Sequence, residues 1–201
     1  MSSAMKIVLA SGSPQRLALL KQIGIEPIVK VSGFDENFSK TCPVVEFVEK
    51  TAEKKALDVR SMMINEDYDV IIGCDTVVVL DNEIIGKPSD ASDAVRTLKR
   101  LSGRVHEVYS GVALLQKNGG CEIFTEKTKV KFSELSLAVI ENYVNSGEPL
   151  KCAGSYAIQG RGAILVEWIE GCFYNVVGLP LNRIIRKLRT IDVRTGEDAL
   201  F

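Results

Sequence analysis

The chain has 201 residues, 46% of them hydrophobic and 25% charged, with a formal net charge of −1. That length and balance predict a globular unit with a full core. The near-zero charge gives no reason to expect nucleic acid or a membrane surface as a partner. No uncharged apolar run approaches a membrane span and no signal-like apolar stretch opens the chain, so the expected location is cytoplasmic.

Ile7-Val8-Leu9-Ala10 reads as a buried strand and Ser11-Gly12-Ser13 as a turn. Ser13 is a good N-cap and Pro14 a good first helical residue, so a short helix follows, carrying Leu17 and Leu20 and ending at Ile23-Gly24. Ile28–Val31 reads as a second strand. Gly33-Phe34-Asp35-Glu36-Asn37 is a polar loop with adjacent carboxylates. Pro43 opens a long helix whose apolar face is Val48, Ala52, Ala56, Val59 and Met63; Glu46, Glu49, Glu53, Lys54 and Lys55 fall mostly off it. Asp69–Leu80 is the most strand-like run in the chain, and Asp81-Asn82 turn it into Glu83-Ile84-Ile85-Gly86-Lys87-Pro88. Asp90–Ser102 is an amphipathic helix with Ala94, Val95, Leu98 and Leu101 inward, ended by Gly103.

The second half is richer in strands. Val105–Leu115 and Cys121–Phe132 flank Lys117-Asn118-Gly119-Gly120, a hairpin turn. Ser136–Ser146 is helical, stopped by Gly147 and Pro149. Tyr156–Ile158 and Ala163–Ile169 read as strands around Gln159-Gly160-Arg161-Gly162. Gly178-Leu179-Pro180 opens a last helix with Leu181, Ile184, Ile185 and Leu188, and Asp192–Phe201 is expected to be a loose tail. The layout predicts an α/β fold: a mixed central sheet with helices packed on it, in two lobes around a cleft. A single domain is expected over 1–201, with its core at about 6–190.

Some chemistries are excluded. The five cysteines (42, 74, 121, 152 and 172) form no C-x-x-C pair and read as reduced thiols. His106 is the one histidine, which rules out a multi-histidine metal site; a Ser-His-Asp triad would have to use it without a G-x-S-x-G elbow. His106 is read as a hydrogen-bonded structural residue. Gly86-Lys87-Pro88 lacks Walker A spacing. Gly160-Arg161-Gly162 is not a dinucleotide turn, because a strand is expected after it.

Other residues point to phosphate chemistry. Ser11 and Ser13 deliver hydroxyls to a helix N-terminus, where orphan N–H groups and the helix dipole favour an anion, and Arg16 can add a bidentate contact. On its own the segment is better read as an ordinary capped β–α turn with a surface arginine. Asp75 breaks an apolar strand, and a carboxylate there is usually paired, metal-bound or at a strand end facing a cleft; the alternative is a structural Asp capping a neighbouring loop. Asp35-Glu36 could offer a hard ligand to Mg²⁺, or be two solvated acids. Lys87, twelve residues beyond Asp75, is a cationic helper.

Seven segments occur in order: Ala10-Ser11-Gly12-Ser13-Pro14, Gly73-Cys74-Asp75-Thr76-Val77-Val78, Ile85-Gly86-Lys87-Pro88, Leu101–Val112, Gly147-Glu148-Pro149, Tyr156–Gly160 and Asn175–Leu181. Together, over about Ile7–Leu188, they resemble the Maf-like nucleoside triphosphate pyrophosphatases. The resemblance implies a fold similar to the inosine triphosphate pyrophosphatases. It also implies a cytoplasmic protein, often a homodimer, that splits a nucleoside triphosphate into monophosphate and pyrophosphate with a divalent metal: Mg²⁺ or Mn²⁺, with Co²⁺ a third candidate. By motif, Asp75 matches the family's proton acceptor or metal ligand, Glu36 an acid of the post-strand loop that would join it at the metal, and Lys87 the Gly-Lys-Pro lysine. Ser11, Ser13 and Arg16 match the phosphate-binding loop, Lys55 a helix lysine, and Gln15, Thr76 and Gln159 positions that discriminate the base.

Two markers depart from a single branch. Gln15 stands where many members have the first of two arginines. Leu150–Ser155 looks like the 7-methyl-GTP branch, whereas Thr76 and Tyr156–Gly160 look like the dTTP/UTP branch. Small neutral groups that both donate and accept suit a uracil or thymine edge, so dTTP and UTP are the expected substrates and 7-methyl-GTP the alternative. A non-catalytic nucleotide-binding regulator of cell division is the alternative of another class.

Overall fold

A computed structural model describes residues 5–34 and 42–191. The loop acids Asp35 and Glu36 and the tail from Asp192 lie outside the described residues. Among the described residues a seven-stranded mixed sheet runs in the order β2-β1-β3-β5-β6-β7, with β4 paired to β3. The strands are β1 Ile7–Leu9, β2 Ile28–Val29, β3 Val70–Leu80, β4 Glu83–Ile85, β5 Val105–Gln116, β6 Cys121–Phe132 and β7 Val166–Glu170. The helices are α1 Pro14–Gln22, α2 Val44–Met62, α3 Ala91–Leu101, α4 Leu137–Asn145, α5 Phe173–Val177 and α6 Leu181–Ile191. β1 pairs in parallel with β2 and β3, while β3–β4 and β6–β7 are antiparallel. The α/β class and mixed sheet expected from the pattern are present.

The chain divides into two compact units. The first takes the described residues up to Asp75, Ser110–Thr125 and those from Gly178 onward; the second takes Thr76–Tyr109 and Glu126–Val177. In the first unit β1 is fully buried, as a central parallel strand must be, and its continuous apolar run reflects that. Val8, Ile71 and Ala113 pack with Ala52, Ala56 and Val59 of α2. Two glycines let α2 come this close. A Cβ on Gly73 of β3 would lie 2.1 Å from the Ala52 carbonyl, and one on Gly111 of β5 2.2 Å from that of Val48. In the second unit Leu98 and Leu101 of α3, Ile140 of α4, and Phe132, Tyr156 and Leu165 share a core. Asp81 and Asn82 both have positive φ, 51° and 63°, the geometry of a two-residue hairpin turn.

The structure corrects three expectations. β2 stops at Val29 instead of Val31, because the Asp58 carboxylate captures the Ser32 hydroxyl (2.9 Å) and the Gly33 N–H (2.8 Å) and draws the chain off β1. Residues 156–158 form no strand, and the expected strand at Ala163 begins as a 3-10 turn, Arg161–Leu165, with β7 starting only at Val166. Here side chains take backbone donors: Ala157 N–H, in the expected strand, donates to the Tyr143 hydroxyl, and Arg161 and Gly162 N–H, in the connection after it, donate to Glu148. The five-residue α5 was not expected; its buried Asn175 donates to the Val108 carbonyl and the Thr128 hydroxyl.

Candidate active site

The strand-turn-helix at the start of the chain folds as its residues predict. Ser13 caps α1, its hydroxyl accepting from Arg16 N–H at 3.4 Å, and Pro14 opens the helix. The Ser11 hydroxyl is buried and accepts from Ser13 N–H (3.2 Å) and Arg16 Nη1 (3.1 Å). Gln15, the departure from the family pattern, accepts from the Ser13 hydroxyl at 3.1 Å, so its amide belongs to the same small network.

Arg16 also braces the backbone. Its Nε donates to the Gly178 carbonyl and its Nη1 to the Cys74 carbonyl, each at 2.9 Å. The Cys74 thiol contacts the same Gly178 carbonyl at 3.3 Å. One guanidinium therefore ties together the serine loop, the residue before Asp75, and the entry to α6, all within the first unit.

Asp75 is 6% exposed in the middle of β3, and Lys55 of α2 meets it, Nζ to Oδ1 at 2.8 Å. A bare carboxylate would be costly at that depth, and the ammonium resolves the cost. The helical pattern places Lys55 mostly off the apolar face, and only the resemblance points to it. It is in fact buried, three residues after Ala52 and four before Val59. That spacing was the signal that could have found it.

The remaining site residues described here belong to the second unit. Thr76 is half-buried in β3 and Lys87 is exposed just past β4. The β3–β4 ladder pairs Leu80 with Glu83 and Val78 with Ile85, and Lys87 follows two residues after its end. Gly154 N–H donates to the Gly86 carbonyl at 3.0 Å, setting the Cys152–Ser155 segment beside Lys87. Burial first, then the charge of Glu148, push the Cys152 thiol up, with Lys87 acting the other way. Gln159 is exposed at the tip of its turn. Glu36 lies outside the described residues, so the pairing of Glu36 with Asp75 has no geometry to report.

His106 is buried, with its Nε2 2.8 Å from the Tyr156 hydroxyl and its ring edge-on to Phe132 and Tyr156. Burial pulls its pKa down to about 4. It is a core residue of the second unit, as expected. The cysteines described are all free thiols. No helix among the described residues is long and apolar enough to cross a membrane.

No group of three or more His, Cys, Asp or Glu side chains able to hold a metal occurs among the described residues. A tetrahedral nitrogen or sulfur site for zinc is therefore not formed by them. Asp75 is a hard oxygen donor. Mg²⁺ or Mn²⁺, which need only one or two carboxylates plus substrate phosphates, would fit such a set.

The family model for Maf-like proteins matches residues 6–191. A protein named dTTP/UTP pyrophosphatase from Acetivibrio thermocellus is 48% identical over 193 residues, covering 94% of this chain and 96% of that protein. Proteins of the same name from Clostridium botulinum and Desulforamulus reducens are 45% and 41% identical, each over 93% of this chain and 97% of their own length. Among solved structures, a HAM1 protein from Coxiella burnetii aligns with a TM-score of 0.49 and 15% identity, over 92% of this chain and 99% of that one. By the extent of the family match and the identity to these relatives, the chain belongs to the Maf-like protein family.

Proposed function

We propose that this protein hydrolyses nucleoside triphosphates to the monophosphate and pyrophosphate, with dTTP and UTP as its preferred substrates. One observation carries the reading. The buried Asp75–Lys55 pair stands one residue beyond the Cys74 carbonyl, which Arg16 ties to the Ser11–Ser13 turn, so a base and an anion cradle share one rigid frame. Relatives at 41–48% identity bear the name dTTP/UTP pyrophosphatase.

In this reading Lys55 holds Oδ1 and fixes the carboxylate plane, and Oδ2 takes the proton of the attacking water. The water oxygen bonds to the α-phosphorus, the bond from that phosphorus to the bridging oxygen breaks, and pyrophosphate leaves with the electron pair. The N-terminus of α1, Ser11, Ser13 and the cationic Arg16 and Lys87 stabilise the phosphate charge. A bound Mg²⁺ or Mn²⁺, held by the substrate's phosphates and Glu36, would supply the remaining positive charge; Asp75 would be its ligand in the alternative in which it is not the base. A cytoplasmic homodimer is part of the same proposal.

The base preference rests on Thr76 and Gln159, neutral groups that both donate and accept. A cationic 7-methylguanine would want a free carboxylate. Glu148, which lies beside Gly160, already takes three bonds from Tyr143, Arg161 and Gly162. Pyrophosphate release from equal concentrations of UTP, dTTP, CTP, ATP, GTP and 7-methyl-GTP tests the reading. The expected order puts UTP and dTTP first, and a higher kcat/KM for 7-methyl-GTP overturns it.

A further inference from the structure

Gly147-Glu148-Pro149 and Gly160-Arg161-Gly162 are sequence motifs to which the proposed chemistry gives no part. The structure brings them together within the second unit. Glu148 Oε1 accepts from the Tyr143 hydroxyl (2.7 Å) and from Gly162 N–H (3.1 Å), and its Oε2 accepts from Arg161 N–H (3.1 Å). The Tyr143 oxygen in turn accepts from Ala157 N–H (3.0 Å). The bonds therefore grip the chain on both sides of Gln159, at 157 and at 161–162, while Gln159 itself stays exposed.

The two glycines make room for this grip. A Cβ on Gly160 would lie 2.2 Å from Glu148 Oε2, and one on Gly162 would lie 2.7 Å from the Tyr143 oxygen. Burial disfavours the charged form of Glu148, yet the bonds from Tyr143, Arg161 and Gly162 outweigh it and hold the carboxyl below its ordinary range. The acceptor is thus a carboxylate, and its charge strengthens each bond. Gly160 N–H closes the turn itself on the Ala157 carbonyl (3.1 Å), and Glu148 and Tyr143 hold the chain on either side of it.

We propose that Glu148 and Tyr143 are positioning residues for base selection: a carboxylate–phenol clamp that presents the Gln159 amide to the pyrimidine edge. This rests on the reading of Gln159 as a base-discriminating residue. Glu148→Gln keeps the shape but offers one carbonyl oxygen where two oxygens accepted, and turns an N–H toward other N–H groups. Tyr143→Phe removes both bonds of the hydroxyl, to Glu148 and from Ala157 N–H, and keeps the ring packed in the core.

The experiment measures kcat and KM for UTP and ATP in the wild type, both variants, Gln159→Ala and the Glu148→Gln/Gln159→Ala double variant. In each clamp variant the UTP-over-ATP ratio of kcat/KM falls about tenfold, the cost of a misplaced hydrogen-bonding group. The loss sits mainly in KM for UTP, kcat/KM for ATP stays within about twofold, and the double variant is no less selective than Gln159→Ala. An equal loss on both nucleotides, or losses that multiply in the double variant, overturns the clamp as a selector. If Gln159→Ala lowers the ratio while both clamp variants keep it, the clamp alone fails. If Gln159→Ala keeps the wild-type ratio, the base reading fails and the clamp with it. Tyr143→Phe decides the matter should Glu148→Gln not fold.

Discussion

Replacing Asp75 with Asn changes almost no volume and removes one charge from a pair whose side chains are 9% and 11% exposed. At that burial the pair is not in the solvent-screened regime of surface ion pairs. Removing one partner of a buried pair outright costs about 3–5 kcal/mol, because the other charge is stranded. The Asn carbonyl still accepts from Lys55 Nζ, so the expected cost is the smaller figure for weakening one bond to a charged group, about 2–3 kcal/mol. In a chain of this length that lowers Tm by about 4–12 °C. Lys55→Met strands the carboxylate and is expected to cost the full 3–5 kcal/mol, roughly. The double variant is expected to cost at least about 1 kcal/mol less than the two single losses together. Activity tells the pair's second role: Asp75→Asn is expected to lower kcat by at least about a hundredfold, as for loss of a general base. Thermal unfolding and pyrophosphate release on the same samples check both. An Asp75→Asn protein with wild-type kcat refutes the base assignment, and strictly additive stability losses refute the energetic pairing.

Gly73→Ala is expected to destabilise by at least about 1–3 kcal/mol and to cut activity, because the new Cβ meets the Ala52 carbonyl and pushes α2, with Lys55, off β3; normal Tm and kcat would show that α2 yields freely. EDTA is expected to abolish turnover and Mg²⁺ or Mn²⁺ to restore it, read by pyrophosphate release, and undiminished turnover in chelator removes the metal from the proposal. Stability is expected to fall as the pH drops from about 6.5 to 4, since the unfolded His106 binds a proton there and the buried one does not. The contribution is about 3 kcal/mol, complete above 6.5, and denaturant melts of His106→Gln should lack that slope.

The strands, the caps and the helix faces were legible in the sequence because they rest on local rules. Ser13-Pro14 caps α1, Asp81-Asn82 makes a tight hairpin, and Ala94, Leu98 and Leu101 line one side of α3, wherever the rest of the chain goes. Asp75 stood out because a carboxylate among β-branched residues contradicts its own strand. The ordered motifs identified the family. Tertiary structure decided what needed a partner from elsewhere in the chain. Lys55 meets Asp75, twenty residues away, only because Gly73 and Gly111 let α2 sit on the sheet. Arg16 serves the frame because two backbone carbonyls, at Cys74 and Gly178, converge on it, and a carbonyl leaves no mark in a sequence. Tyr156-Ala157-Ile158 has the composition of a strand, yet it forms none, since the Tyr143 hydroxyl takes the Ala157 N–H that a strand could have spent on a neighbour. Hydrogen-bond competition of that kind is settled in space, between residues that the linear order keeps apart.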